Sequence, residues 1–306
     1  MTAFTNILVD VDATVPAHPA LERAVHLARR SGARLTIADV HTVPPEVRRV
    51  LGADAEQQLL EERRQKLEAL AKGITDVPVE ARLLSGRPAT AVIQEVLRGG
   101  HDLLVRAHAR DLIGRERPYG AVDMELVRQC PCPVLLVRPG APPAHPLVVG
   151  AVRATTEDPA EHALNAKLVE LTLRLAELQD GRAVLLQAWA PFAERLLRGH
   201  YSEEAFHAYV EDTRREAEQA LERLRAQFGD RLPADRAVSR RGEPEDVILD
   251  YTLGEAADLV VIGTVARSGV AGLLIGNTAE RVLRKLPCSV LTVKPDGFVS
   301  PVRLDA

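Results

Sequence analysis

Two hydrophobic rhythms take turns along this chain. Short, mostly apolar runs at 7–11, 35–40, 79–84, 103–107 and 134–137 read as strands buried in a sheet. Between them lie segments with helical spacing. In 19–30, Leu21, Ala24, Val25, Leu27 and Ala28 share one face, and Gly32 follows the end. The strongly charged 55–72 keeps a narrow stripe of Leu60, Leu67, Leu70 and Ala71, 88–97 is stopped by Gly99 and Gly100, and 121–129 is short. The order then starts again, with strands at 146–152, 183–188, 237–240, 259–263 and 290–293 and helices at 160–178, 203–228, 244–253 and 278–285. Strands alternating with helices predict an α/β fold built on parallel sheet covered on both faces. An apolar excursion at 189–201 interrupts the second round.

The recurrence extends to individual residues. Residues 86–140 lie over 242–296 without a gap, placing Gly86 on Gly242, Pro88 on Pro244, Asp102 on Asp258, Gly120 on Gly276, Arg128 on Arg284 and Pro131-Cys132 on Pro287-Cys288. Such a match predicts two homologous domains, each of which serves as a control for the other. Pro139, Pro142, Pro143 and Pro146 make a short stiff join, so the expected domains are 1–140 and 141–306, packed on each other.

Composition narrows the function classes. The chain has 306 residues, enough for two cores, and a net charge of −4 that offers no general attraction to polyanions. One Trp, four Tyr and five Phe are too few for a stacking platform, which argues against a nucleic-acid partner. No apolar run reaches the ~20 residues of a membrane span, and the first residues run straight into a strand with no leader-like pattern, so no signal peptide is expected. Cys130, Cys132 and Cys288 form no disulfide framework, and a reducing, cytoplasmic setting is expected. Cys132 and Cys288 occupy equivalent places before a strand, which favours packing over metal or redox chemistry.

The candidate chemistry lies after the fourth strand of the second domain. Gly263, Thr264, Ala266, Gly269, Gly272, Gly276, Asn277 and Thr278 leave the carboxyl end of a parallel strand, where open α/β sheets bind ligands. The glycines let a backbone approach a phosphate, and Asn277 and Thr278 fall at a helix N-terminus, whose free N–H groups favour an anion. The competing reading is a long turn packed on the sheet. Arg153 with Ser239-Arg240-Arg241-Gly242 forms a basic cluster suited to a phosphate or carboxylate, against a reading as solvated charge. His101 and His108 beside Asp102 and Asp111 suggest an acid–base pair, but Ala257 and Thr264 replace the histidines in the repeat, and no catalytic residue is assigned. His200 and His207 lack a third ligand, so no metal site is assigned either. The 189–201 excursion reads either as a lid over an apolar pocket or as packing between the domains.

Val9-Asp10-Val11-Asp12, the Gly-rich segment, the ending Leu286-Pro287-Cys288-Ser289-Val290-Leu291 and the doubled order together resemble the universal stress protein family across essentially the whole chain. Ile93–Val96, Gly99–Leu103 and 275–280 resemble its tandem members of the E type. The resemblance implies two open five-stranded parallel sheets of order 3-2-1-4-5, related by a pseudo-twofold, and a cytoplasmic stress-survival role with no common catalysed reaction. The expected partners are a small-molecule ligand, a partner protein or a second copy of the chain, with no required cofactor. An alternative reading is ATP with Mg²⁺, with slow hydrolysis, and a third is an apolar or lipid-like ligand. Nucleotide-binding members carry Gly-x2-Gly-x9-Gly-Ser/Thr and an aspartate closing strand one. The second domain matches with Gly263 and Gly276, departs at Ala266 and Asn277, and has Arg153 at the aspartate position. The first keeps Asp12 but reads Ala107, Arg110, Gly120 and Ala121 in the loop, a degenerate site.

Overall fold

The computed structural model describes residues 4–42, 45–107, 120–140, 143–155, 157–264 and 276–304. The first lobe runs β1 (Asn6–Asp10), α1 (Pro19–Ser31), β2 (Arg34–His41), α2 (Pro45–Lys72), β3 (Val79–Ser85), α3 (Pro88–Gly99), β4 (Leu103–Ala107), α4 (Ala121–Gln129) and β5 (Val134–Val137). The second runs β6 (Leu147–Val152), α5 (Pro159–Leu178), β7 (Arg182–Trp189), α6 (Glu194–Arg198), α7 (Glu203–Ala226), β8 (Ala237–Arg241), α8 (Pro244–Gly254), β9 (Leu259–Gly263), α9 (Asn277–Lys285) and β10 (Ser289–Val293).

Proline opens and glycine closes the helices that seat the sheet. α1 and α3 each begin at a proline, which lacks the N–H a first turn would leave unpaired. They end at Gly32 and Gly100, with φ of 71° and 61°, a left-handed turn that glycine takes without steric cost. Every residue of β1, β5 and β10 is buried, as strands covered on both faces require.

Each lobe carries the order 3-2-1-4-5, as expected. The two sheets are not separate, however: the full order is β3-β2-β1-β4-β5-β10-β9-β6-β7-β8, one sheet of ten strands. β5 and β10 pair antiparallel with Leu135 opposite Leu291, while the other pairings are parallel. The last strand of each lobe would otherwise be an open edge, and each closes the other. Both apolar layers cross this join. One holds Ile7, Val105, Leu135, Leu291, Val261 and Val148; the other holds Leu8, Leu104, Leu136, Val290, Val260 and Val149.

Two cations fasten the join reciprocally. Lys294 Nζ donates to the carbonyls of Val127 (2.7 Å) and Arg128 (3.0 Å) at the end of α4. Its counterpart in the repeat, Arg138, donates from Nη2 to the Leu286 carbonyl (2.7 Å) at the end of α9. Each lobe thus supplies positive charge to the negative end of a helix in the other.

Candidate ligand site at the carboxyl edge of the sheet

The strand registers align the two lobes across this edge. Ile7 opposes Leu103 as Val148 opposes Leu259, so Asp10 corresponds to Ala151 and Asp12 to Arg153. The sequence repeat sets Arg106 against Ile262 and Asp123 against Ala279. Asp10, Arg106 and Asp123 therefore stand where the other lobe has apolar side chains, while Asp12 is exchanged for the opposite charge of Arg153.

In the first lobe that place is closed by its own charges. Arg106 bonds through Nη1 to Asp10 and through Nε to Asp123 Oδ1 at 2.7 Å. Both carboxylates are buried. Burial alone would lower the Arg106 pKa, but the two carboxylates outweigh it and hold the guanidinium protonated. Asp123 Oδ2 accepts from the Gly120 N–H at 3.0 Å, so the N-terminus of α4 has a carboxylate of its own. Nearby, Arg63 spans Asp39 (2.9 Å) and Asp12 (3.4 Å). Asp12 also accepts from Thr14 N (2.9 Å) and Thr14 Oγ1 (2.6 Å). Partial burial works to raise the Asp12 pKa, yet Thr14 and Arg63 prevail and hold it below the usual carboxylate range.

Among the described residues the second lobe lacks this closure. Ile262 and Ala279 belong to an apolar core layer, with Ala151 packed against it. Gly276 precedes α9 with no side-chain cap, and the first bond closing the helix runs from Glu280 N to Gly276 O (3.0 Å). The N–H groups of Asn277, Thr278 and Ala279 come before that bond and point out of the helix end. Where lobe one places the Asp123 carboxylate, lobe two has the methyl of Ala279.

The remaining expected residues divide. Thr264 is buried, and both its N–H (3.1 Å) and its Oγ1 (3.3 Å) donate to the Val293 carbonyl, anchoring the strand end. A Cβ on Gly263 would lie 2.8 Å from Leu164 Cδ2, the tip of a flexible side chain of α5 that a small shift would relieve. Gly276 and Thr278 flank the helix start, whereas Ala266, Gly269 and Gly272 lie outside the described residues. Arg153 is clamped by Asn165, which accepts its N–H (3.1 Å) and donates to its carbonyl (2.8 Å), and its side chain pairs with Glu161 at 3.1 Å.

The basic cluster is spoken for internally. Arg240 lies over the Tyr251 ring at 4.7 Å, and Arg241 pairs with Glu194 at 2.6 Å beside Trp189. His101 is buried ahead of β4, while His108 and Asp111 lie outside the described residues. His200 is exposed and faces the Leu196 carbonyl at 2.8 Å; among the described residues no cluster of His, Cys, Asp or Glu is placed to hold a metal. The three cysteines are buried and free, and burial pushes the Cys288 thiol up to about 12. In the 189–201 excursion, Phe192, Leu196 and Tyr201 are exposed rather than packed between the lobes. No helix among the described residues is long and apolar enough to cross a membrane.

The residues that sequence reasoning missed are Asp10, Arg106 and Asp123. Their signal was present: subtracting one copy of the repeat from the other isolates Arg106 and Asp123 directly.

Comparison with known proteins follows the same twofold pattern. The sequence model of the Universal stress protein family matches residues 3–138 and again 158–294. Universal stress protein E of Escherichia coli (strain K12) is 33% identical over 314 aligned residues, covering 100% of this chain and 98% of that protein. The Universal stress protein E homolog of Haemophilus influenzae is 29% identical, over 95% of this chain and 98% of that one. A crystal structure of a putative universal stress protein from Pseudomonas aeruginosa UCBPP-PA14 superposes with a TM-score of 0.72 at 23% identity, covering 97% of this chain and 95% of that one.

Proposed function

This chain belongs to the universal stress protein family, and from that premise we propose that it is a non-enzymatic, cytoplasmic stress-response factor whose second lobe binds a small anionic ligand. The two lobes divide at 1–140 and 141–306 and have parted in role: the first supports the fold, and the second responds to the ligand.

One observation carries this reading. The first lobe fills its helix N-terminus with Asp123 and neutralises that carboxylate with Arg106, whereas the second lobe sets Ala279 and Ile262 at those places. The open N-terminus of α9 lies at the end of the Gly-rich segment, with Gly276, Asn277 and Thr278 as ligand residues. A phosphate or carboxylate there gains the free N–H groups and the helix dipole. Ala266, Gly269 and Gly272 remain candidate ligand residues on their place in the sequence alone.

ATP with Mg²⁺ is the alternative occupant, supported by Gly263 and Gly276 in the family spacing and opposed by Arg153 at the strand-one aspartate position. Isothermal titration of the purified chain with inorganic phosphate and with ATP·Mg²⁺ separates the two. Phosphate binding without a preference for ATP supports the leading reading. An ATP affinity tighter than about 100 μM favours the nucleotide. Gly276→Arg places a long side chain at the helix start and is expected to abolish either affinity; an unchanged affinity moves the site elsewhere.

A further inference from the structure

β3 is an outer edge of the ten-stranded sheet and pairs with β2 alone. Leu35 N donates to the Pro78 carbonyl at 2.9 Å, while Leu35 stands opposite Val79. In a parallel pairing that register turns the backbone groups of Glu80, Arg82 and Leu84 towards β2. The N–H and C=O groups of Val79, Ala81 and Leu83 therefore face outward, with no strand beyond them among the described residues. Proline and bulges, two devices that blunt such an edge, are absent: β3 runs seven residues in unbroken register. Its charges are turned to the other side. Glu80 and Arg82 pair with each other at 2.9 Å, and Arg82 also reaches the buried Glu95 of α3 at 3.1 Å.

α2 and β3 enclose a groove of about 820 Å³. Ala81 and Leu83, two of the residues with outward backbone groups, line it from the strand, and Leu60 and Leu67 line it from the helix. No residue of β2 lines it among the described residues, which sets the groove on the outward side of β3. The helix residues along it run from Asp54 to Glu68, four turns or roughly 20 Å at ~1.5 Å per residue. An extended segment of about six residues has that length. The apolar floor is rimmed by Asp54, Glu61 and Glu68 against one cation, Arg64, which already pairs with Glu68 at 3.3 Å.

The matching edge of the second lobe is built differently. β8 has five residues and follows two short 3-10 turns, Ser239 stands for Leu83, and Arg241 is held by Glu194 of α6 at 2.6 Å. The charges of the first-lobe groove also select its occupant. Two copies pairing through β3 about a dyad would bring the acidic rims of two α2 helices together, so a second copy is disfavoured.

We propose that β3 and α2 form a docking groove for an extended, basic segment of a partner protein, about six residues long with alternating apolar side chains. Its backbone adds a strand to the sheet through the outward groups of Ala81 and Leu83, the mode known as β-augmentation. Its apolar side chains rest on Leu60 and Leu67, and its lysines or arginines meet Asp54, Glu61 and Glu68. The assignment concerns the first lobe alone and stands apart from the anion site at α9.

Amide NMR on the full chain, titrated with the peptides acetyl-KVKVKV-amide and acetyl-RIRIRI-amide, tests this, with acetyl-EVEVEV-amide as the charge-reversed control. At least one basic peptide is expected to shift the amides of Ala81 and Leu83 saturably, with a Kd below about 1 mM, and the acidic one to leave them unmoved. Ala81→Pro removes an outward donor without touching the ladder to β2, a place where an edge strand tolerates proline. It is expected to weaken binding at least ten-fold while the rest of the spectrum stays that of wild type. Glu61→Lys combined with Glu68→Lys lies on the exposed rim and is expected to reverse the preference between basic and acidic peptides. Absence of binding by both basic peptides, equal binding of the acidic one, shifts confined to α2, or binding that survives Ala81→Pro would each overturn the assignment. Self-association of the peptide-free chain that Ala81→Pro abolishes would overturn it too, giving the edge to a second copy.

Discussion

Arg106 lies between two buried carboxylates, and its removal would leave both without a countercharge. Arg106→Met is therefore expected to lose about 3–5 kcal/mol of stability in urea unfolding. The triple change Asp10→Ala, Arg106→Ile and Asp123→Ala converts this place to the apolar set of the second lobe and is expected to recover most of that loss. A triple variant no more stable than Arg106→Met would refute the view that the two sets are interchangeable. These residues were not picked out from the sequence because polar residues in strands and helix first turns are ordinary, and only their burial distinguishes them. The Gly-rich segment was conspicuous for the opposite reason: its composition is unusual whatever its packing.

At the level of elements, α4 and α9 are the same helix with and without a capping carboxylate at the third position: Asp123 accepts from the Gly120 N–H, whereas Glu280 in the first turn of α9 pairs with Arg128 and Arg284. Moving the closure from one to the other tests the functional reading. Ala279→Asp combined with Ile262→Arg supplies α9 with the carboxylate and cation of lobe one, and is expected to weaken phosphate binding at least ten-fold by titration calorimetry. Undiminished binding would remove the helix N-terminus from the site. Nearly all strands and helices were legible from period and punctuation because most bury a regular face and many meet a proline or glycine at an end. The first turns of α2 were not, since Val47, Val50 and Leu51 cover a single turn before Gly52, and Val50 is 83% exposed. The five-residue α6 is too short to show a period.

Across the whole molecule, the pairing of β5 with β10 was beyond the sequence. A strand buried under helices has the same composition whether it ends a sheet or joins two. The cations at this join give a pH test. Burial pushes the Lys294 ammonium down to about 8, against 10.5 for the exposed side chain. Below pH 8 both folded and unfolded chains hold the proton. Between about 8 and 10.5 the unfolded chain holds it and the folded chain does not, so this group's contribution to stability rises with pH by about 3 kcal/mol across the window. Cys288 acts in the opposite sense above pH 9, because its folded thiol is held up to about 12. The difference between wild type and Lys294→Met isolates the lysine. It should change steadily in favour of wild type from pH 8 to 10.5, and a difference independent of pH would contradict the burial of this charge. The central claim is that one lobe has sealed its helix N-terminus while the other keeps it open. Backbone amide shifts recorded during a phosphate titration test it most directly. Saturable shifts at Gly276, Asn277, Thr278 and Ala279, with Gly120 to Asp123 unmoved, are the predicted result; movement of the first-lobe amides, or of neither set, would contradict it.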